Sequence, residues 1–180
     1  MKPSTAIQRL LQEWQTPSYV MMVGAPGVGK STFLKKLQEE SNGACNPFIL
    51  ASTDDLVEIE AAKMGLTYSE AFHKVNQKKV KREMEEQIAK AILARKNIFH
   101  DQTNMGRKAR TSKLAVVPDS YNKICLNFTC DDKVLQARLD ARAALTGKVI
   151  PPFVLKNMFN SYVAPSRSEG FNLILEINND

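Results

Sequence analysis

At 180 residues, with 43% hydrophobic and 24% charged side chains, the chain has the size and composition of one folded domain, which excludes disordered, fibrous and collagen-like classes. No apolar run approaches the roughly 18 residues of a membrane span, and the opening stretch mixes polar with apolar residues where a signal peptide would carry an apolar core, so a cytoplasmic protein without membrane contact is expected. With 25 Lys and Arg against 19 Asp and Glu, the net charge of +6 favours an anionic partner such as a nucleotide or nucleic acid.

Residues 4–15 set Ile7, Leu10, Leu11 and Trp14 at the spacing of an amphipathic helix. Residues 19–23 are an unbroken apolar run followed at once by a glycine-rich turn, the pattern of a strand buried on both faces. A helix is predicted over 30–40, with Phe33, Leu34 and Leu37 inward and Asn42-Gly43 as its stop. A second buried strand follows at 48–50. One long polar helix is predicted over 69–95, its apolar marks being Phe72, Val75, Ile88, Ile92 and Leu93. It delivers the chain to a strand at 97–100, after which come a strand at 124–128, helices at 134–144 and 151–162, and a closing strand at 171–177. Strands alternating with helices predict an α/β fold: one domain over 1–180 with a five-stranded parallel sheet and helices on both faces. The sequon at Asn127 falls inside a predicted strand and is set aside. Cys45, Cys125 and Cys130 are odd in number, lack metal-ligand spacing and read as reduced thiols.

Gly24-Ala25-Pro26-Gly27-Val28-Gly29-Lys30-Ser31 matches G-x-x-x-x-G-K-[ST] between a predicted strand and a predicted helix, with Thr32 next. In such a P-loop the glycines turn backbone N–H groups toward phosphates, the helix N-terminus adds positive potential, the lysine reaches the β- and γ-phosphates, and the hydroxyl binds magnesium. ATP is therefore the expected nucleotide, Lys30 the catalytic cation and Ser31 the metal ligand.

Three further groups belong to the same chemistry. The second strand runs into Ser52-Thr53-Asp54-Asp55, at the edge where open α/β folds place ligands. Asp54 there is a candidate base for an attacking hydroxyl, while Thr53, Asp54 or Asp55 could equally cap the next helix. The third strand ends in His100-Asp101-Gln102-Thr103-Asn104, where Asp101 suits water-mediated magnesium binding or acceptor orientation unless it caps the helix near Arg107; Thr103 and Asn104 add neutral partners, and His100 reads as a core side chain. Arg138 and Arg142 stand four apart on one helix ahead of a Thr146-Gly147-Lys148 turn, and residues 138–150 read as a small helical lid over a triphosphate, with surface pairing as the other outcome. Lys74, Lys78, Lys79, Lys81 and Arg82 form one cationic cluster. Arg107, Lys108, Arg110 and Lys113 form a second with no acid among them, and each cluster reads either as lining a nucleic-acid channel or as a solvated helix face.

Together GAPGVGKST, STDD, DQTN and the Arg-x-x-x-Arg helix with its Gly-Lys turn resemble the 5′-kinase domain of phage polynucleotide kinases over roughly residues 18–162. The resemblance implies ATP- and magnesium-dependent phosphorylation of the 5′-hydroxyl of DNA or RNA in nucleic-acid repair, by a phage-encoded chain in the host cytoplasm. It makes Asp54 the activating acid, places Asp101, Thr103 and Asn104 on the acceptor side with Arg107 beside them, and makes Arg138 and Arg142 the lid arginines. Two departures stand out. Val57 replaces an arginine that holds an acceptor phosphate, and Leu145 and Thr146 lie where a second lid arginine is expected, leaving Arg142, Lys148 or Arg167 to substitute. Within these 180 residues an accompanying phosphatase or ligase domain is not expected. A kinase for a nucleoside, nucleotide, modified base or other small molecule shares all these features, and a nucleotide-binding switch shares the P-loop.

Overall fold

The computed structural model describes residues 1–44 and 47–180. Cys45 lies outside them, and Cys125 and Cys130 are free thiols. In chain order the elements are α1 (Pro3–Gln12), β1 (Ser18–Val23), α2 (Lys30–Glu40), β2 (Phe48–Ser52), α3 (Thr53–Met64), α4 (Tyr68–Lys74), α5 (Gln77–Leu93), β3 (Asn97–Asp101), α6 (Arg107–Leu114), β4 (Asn122–Thr129), α7 (Asp132–Thr146), α8 (Pro152–Asn160) and β5 (Leu173–Asn178), with a 3-10 turn at Arg167–Glu169. The five strands form a single parallel sheet in the order β2-β3-β1-β4-β5. Among the described residues no helix is long and apolar enough to cross a membrane.

β1 is central and buried along its whole length. Because strand side chains alternate, Val20 and Met22 join Ile7 and Leu10 of α1, Phe33 and Leu37 of α2 and Leu135 of α7, while Tyr19, Met21 and Val23 join Leu56 and Val57 of α3, Val80 and Met84 of α5 and Leu114 of α6. Each fully buried side chain of this size contributes about 1.5–3 kcal/mol, so the sheet is fixed from both faces and its carboxyl edge becomes a rigid platform.

The long helix expected over 69–95 is two helices. Val75 adopts an extended conformation (ψ 146°), and the Asn76 side chain accepts the Lys79 backbone N–H at 3.1 Å, restarting the helix as α5. α4 has its own start, a capping box in which Thr67 and Glu70 satisfy each other's backbone N–H groups. Two expected apolar marks consequently face water, Phe72 at 42% exposure and Leu93 at 86%. α4 packs against α3, with the Tyr68 hydroxyl at Asp54 and the Ser69 hydroxyl at Gly147.

Arg110 departs most from its expected place in a cationic channel. It is fully buried, donating through Nε and Nη2 to the Glu169 carboxylate at 2.8 and 2.7 Å and through Nη1 to the Asn104 and Met105 carbonyls at 3.0 and 2.8 Å. Every arm is used inside the protein, locking the loop after β3 to the turn before β5. Removing one partner of such a pair leaves a buried charge uncompensated, so Arg110→Ala is expected to lower unfolding stability by about 3–5 kcal/mol in denaturant titrations, and a loss below about 1 kcal/mol would contradict the structural role assigned to it.

Candidate active site

The carboxyl ends of β1, β2 and β3 open into a cleft of about 1330 Å³. On one wall the P-loop runs from β1 into α2. Gly24 takes φ 143°, and a Cβ there would stand 2.9 Å from the Phe128 carbonyl oxygen; Gly29 takes φ 98°, and a Cβ there would overlap the Asn179 side chain. Only glycine fits either position. Gly29 precedes α2 without any side-chain cap, so the first N–H groups of the helix face the cleft uncapped. Pro26, Gly27, Ser31 and Thr32 line the cleft, whereas Ala25 and Val28 are buried and shape the loop from behind. Gly24 N–H donates to the Thr103 carbonyl at 2.9 Å, tying the loop to the β3 side.

Lys30 turns its ammonium onto the Gly24 and Ala25 carbonyls at 3.0 and 3.3 Å, 3.9 Å from Asp101. Burial pulls the Lys30 pKa below its usual range, with Asp101 and Asp54 pulling the other way. Asp101 is held above the carboxylate range by its own burial, against the attraction of Lys30 and with added repulsion from Asp54 and Asp55. Asp101 caps no helix, since α6 starts after Gly106 without a side-chain cap.

Ser52, which sequence reasoning passed over, is the N-cap of α3: its hydroxyl accepts the Asp55 N–H at 3.2 Å and donates to the Asp55 carboxylate at 3.0 Å. Asp54 is thereby free of capping and turns into the cleft, half exposed, where its two oxygens accept from the Tyr68 hydroxyl at 2.9 Å and from Lys148 Nζ at 2.6 Å. Partial burial raises its pKa, but the Lys148 and Tyr68 hydrogen bonds outweigh burial and the net shift is downward, so the group is a carboxylate at neutral pH. Asp55 is shifted upward, first by burial.

One of the three residues read as substitutes for a lid arginine, Lys148 is 6% exposed, its Nζ lies 3.7 Å from the Tyr68 ring centroid and 3.4 Å from Glu58, and the Gly147 carbonyl accepts the Ser69 hydroxyl at 2.6 Å. The lid is therefore pinned across α3 and α4. On α7, Arg138 and Arg142 both line the cleft, and Arg138 Nη1 is buried without a hydrogen-bond partner among the described residues. An orphaned guanidinium N–H in the same cleft as an uncapped helix N-terminus suits a polyphosphate ligand. Magnesium would have Ser31 as its direct protein ligand, with Asp101 and Asp55 placed for contact through water; no cluster of three His, Cys, Asp or Glu side chains suited to a metal occurs among the described residues. Such an ion supplies neutralisation of the developing phosphate charge.

The remaining acceptor-side residues divide. Thr103 lines the cleft. Asn104 is buried in a left-handed conformation (φ 49°), donating to the Met22 carbonyl at 2.8 Å, so it builds the wall more than it presents itself. Arg107 points its guanidinium at the Ser168 hydroxyl (3.2 Å), leaving the cleft wall to Gly106, Lys108, Ala109 and Lys113. Val57 is buried against the core and offers the cleft nothing. His100 sits in the core as expected, between the Tyr19 hydroxyl (2.5 Å) and Gln102 Oε1 (3.1 Å). Asn179, which no sequence signal marked, donates to the Val28 carbonyl at 2.8 Å and holds the back of the P-loop.

The AAA domain family model (AAA_33) matches residues 20–165. Among solved structures, a candidate kinase from Chloroflexus aurantiacus aligns at TM-score 0.63 and 18% identity over 91% of this chain and 86% of its own. A gluconokinase from Sinorhizobium meliloti aligns at 0.53 and 16% over 92% and 85%, and a chain of the Pnkp1/Rnl/Hen1 complex at 0.53 and 17% over 69% and 40%. At these identities the likeness carries the fold alone.

The Lys148 contact predicts a pH effect with a definite sign. Replacing Lys148 by Met removes the largest stabilising partner of the Asp54 carboxylate, so the Asp54 pKa is expected to rise and the acid limb of any activity that needs the carboxylate to move to higher pH. The carboxyl 13C shift of Asp54 titrated in wild type and Lys148→Met reads this directly; an unmoved titration would show that the contact leaves the carboxylate's proton affinity alone.

Proposed function

The chain belongs to the AAA domain family, and from that premise we propose that it is an ATP-dependent kinase moving the γ-phosphoryl group of ATP to an alcohol, with the 5′-hydroxyl of a nucleic acid as the first acceptor. The observation that carries the reading is the Asp54 carboxylate: freed from capping by Ser52, half exposed, and directed into the same cleft as the P-loop. A P-loop alone suits a switch as well as a kinase. A positioned carboxylate facing it supplies what transfer to a hydroxyl requires.

In this reading the P-loop N–H groups and Lys30 hold the β- and γ-phosphates, and Arg138 and Arg142 neutralise charge on the transferring group from the lid side. The acceptor oxygen attacks the γ-phosphorus in line, its proton passes to Asp54, the bond from the γ-phosphorus to the bridging oxygen breaks, and ADP leaves. Lys148 and Tyr68 hold the carboxylate aimed before the proton arrives. The lid they anchor excludes water, the competing acceptor.

A second reading, a kinase for a small-molecule alcohol, draws on the burial of Arg110 and the turn of Arg107 toward Ser168, which reduce the expected four-cation channel to Lys108 and Lys113 along the cleft. The likeness in fold to a gluconokinase is compatible with it.

Transfer of labelled γ-phosphate to 5′-hydroxyl oligonucleotides, nucleosides, nucleoside monophosphates and sugar acids separates the two. Asp54→Asn, which keeps nearly all capping ability, is expected to lower transfer by at least about a hundredfold at unchanged ATP affinity, and near-normal transfer would remove Asp54 as the base. Lys30→Ala is expected to abolish transfer and greatly weaken ATP binding in calorimetric titration; equal affinity and turnover would sink the P-loop assignment.

A further inference from the structure

We propose that the acceptor carries a phosphate group close to its reactive hydroxyl and that Lys113 on α6 holds it. This deepens the kinase reading and rests on it. Lys113 Nζ donates to Gln102 Oε1 and to Asn104 Oδ1, each at 2.5 Å, and both partners are neutral amide oxygens. Among the described residues no carboxylate lies within 4.0 Å of it. The charged groups that reach it from α5 are Lys81 and Glu85, of opposite sign and paired with each other at 3.6 Å. Burial pulls its pKa down to about 8, with Lys81 adding to the fall and Glu85 opposing it. The two largely buried lysines that also line the cleft are each beside a carboxylate: Lys30 has Asp101, and Lys148 has Asp54 and Glu58.

An ammonium has three donors, and two are committed to amides that fix its position. Lys113 lines the cleft one helical turn beyond Ala109, whose methyl group and the nearby Gly106 leave the wall in front of it low. Its location relative to the proposed base is set by short links. Gln102, which accepts from Lys113, donates through Nε2 to the Thr53 hydroxyl at 3.2 Å, and Thr53 immediately precedes Asp54. A ligand with its hydroxyl at Asp54 and an anionic group at Lys113 therefore spans one wall of the cleft. α3 provides no alternative cation there, since Val57 is buried. The phosphate can be the 3′-phosphodiester of a nucleic-acid end or the monoester of a small metabolite; the chemistry at Lys113 is shared.

Binding without turnover tests this on the full chain loaded with magnesium and a non-hydrolysable ATP analogue, so that the P-loop is filled. Adenosine, adenosine 3′-monophosphate, a 5′-hydroxyl dinucleotide, a hexose and its monophosphate are titrated calorimetrically. A charge-assisted contact predicts that at least one phosphorylated probe binds about tenfold or more tightly than its unphosphorylated parent. Lys113→Gln is expected to abolish that gain and Lys113→Arg to retain most of it, with affinity for the ATP analogue and melting temperature reporting an intact fold. A gain with the adenosine-derived probes assigns the nucleic-acid source, and a gain confined to the hexose phosphate assigns the metabolite; both support Lys113 as the anion site. Equal affinities within every pair in wild type, or a gain that survives in Lys113→Gln, overturns it. Because no phosphoryl group moves in this measurement, its failure falls on Lys113 alone, while the Asp54→Asn comparison bears on the kinase reading alone.

Discussion

The ion pair of Lys148 with Asp54 ties the lid to the first turn of α3, just beyond β2. The lysine is buried and the carboxylate is half exposed, so the pair is neither a screened surface contact nor a sealed core bridge. Its formation requires several local features at once. Ser52 must take the cap of α3, or Asp54 would be drawn back onto the helix N-terminus. α4 must pack against α3, or Tyr68 would not reach Asp54 and Ser69 would not meet Gly147. α7 must end in a left-handed glycine at 147 (φ 67°) so that Lys148 turns inward. Each device stabilises one geometry, in which a carboxylate is kept ionised beside a phosphate-binding loop.

Around that contact the cleft carries a concentrated balance of charge. Asp54, Asp55 and Asp101 stand close to the ends of β2 and β3; burial is the main cause of the upward displacement of Asp101, and repulsion from Asp54 and Asp55 adds to it. Lys30, Lys148 and Arg142 oppose them, with Arg142 favouring the ionised form of Asp54 and disfavouring that of Lys30. The parallel sheet makes this possible because both of its faces are packed, leaving the carboxyl edge as the place where polar groups converge. Arg110 and Lys113 show how one cationic stretch divides into two roles. Arg110 spends its charge on Glu169 inside the protein, whereas Lys113, on the same helix, keeps its charge turned to the cleft with only amide oxygens for partners.

What was legible in the sequence is what depends on near neighbours. The P-loop, the five strands and most helices follow from contiguous patterns, and Asp54, Asp101, Arg138 and Arg142 could be placed because each lies at a fixed distance from a strand end or a helix turn. Two misreadings were local competitions decided by backbone chemistry. Helical periodicity runs through Val75 and Asn76, but an asparagine that caps the following turn outcompetes continuation, and Ser52 outcompetes Thr53 for the start of α3. Other features rest on partners far away in the chain. Arg110 meets Glu169 at a separation of 59 residues, Lys148 meets Asp54 at 94, and Asn179 meets Val28 at 151. No periodicity encodes such pairings, so a buried arginine and a solvated one look alike until the fold is known.

The central claim is that Asp54 acts as a base in direct transfer and not as a nucleophile that first takes the phosphoryl group itself. ATP made chiral at the γ-phosphorus with three oxygen isotopes distinguishes the two, because each in-line displacement inverts the configuration. The account predicts net inversion in the phosphorylated product, the result of one displacement by the acceptor hydroxyl with its proton taken by Asp54. Net retention would contradict it, since two successive displacements would place a covalent phosphoenzyme on the path and give the carboxylate held by Lys148 and Tyr68 a different role.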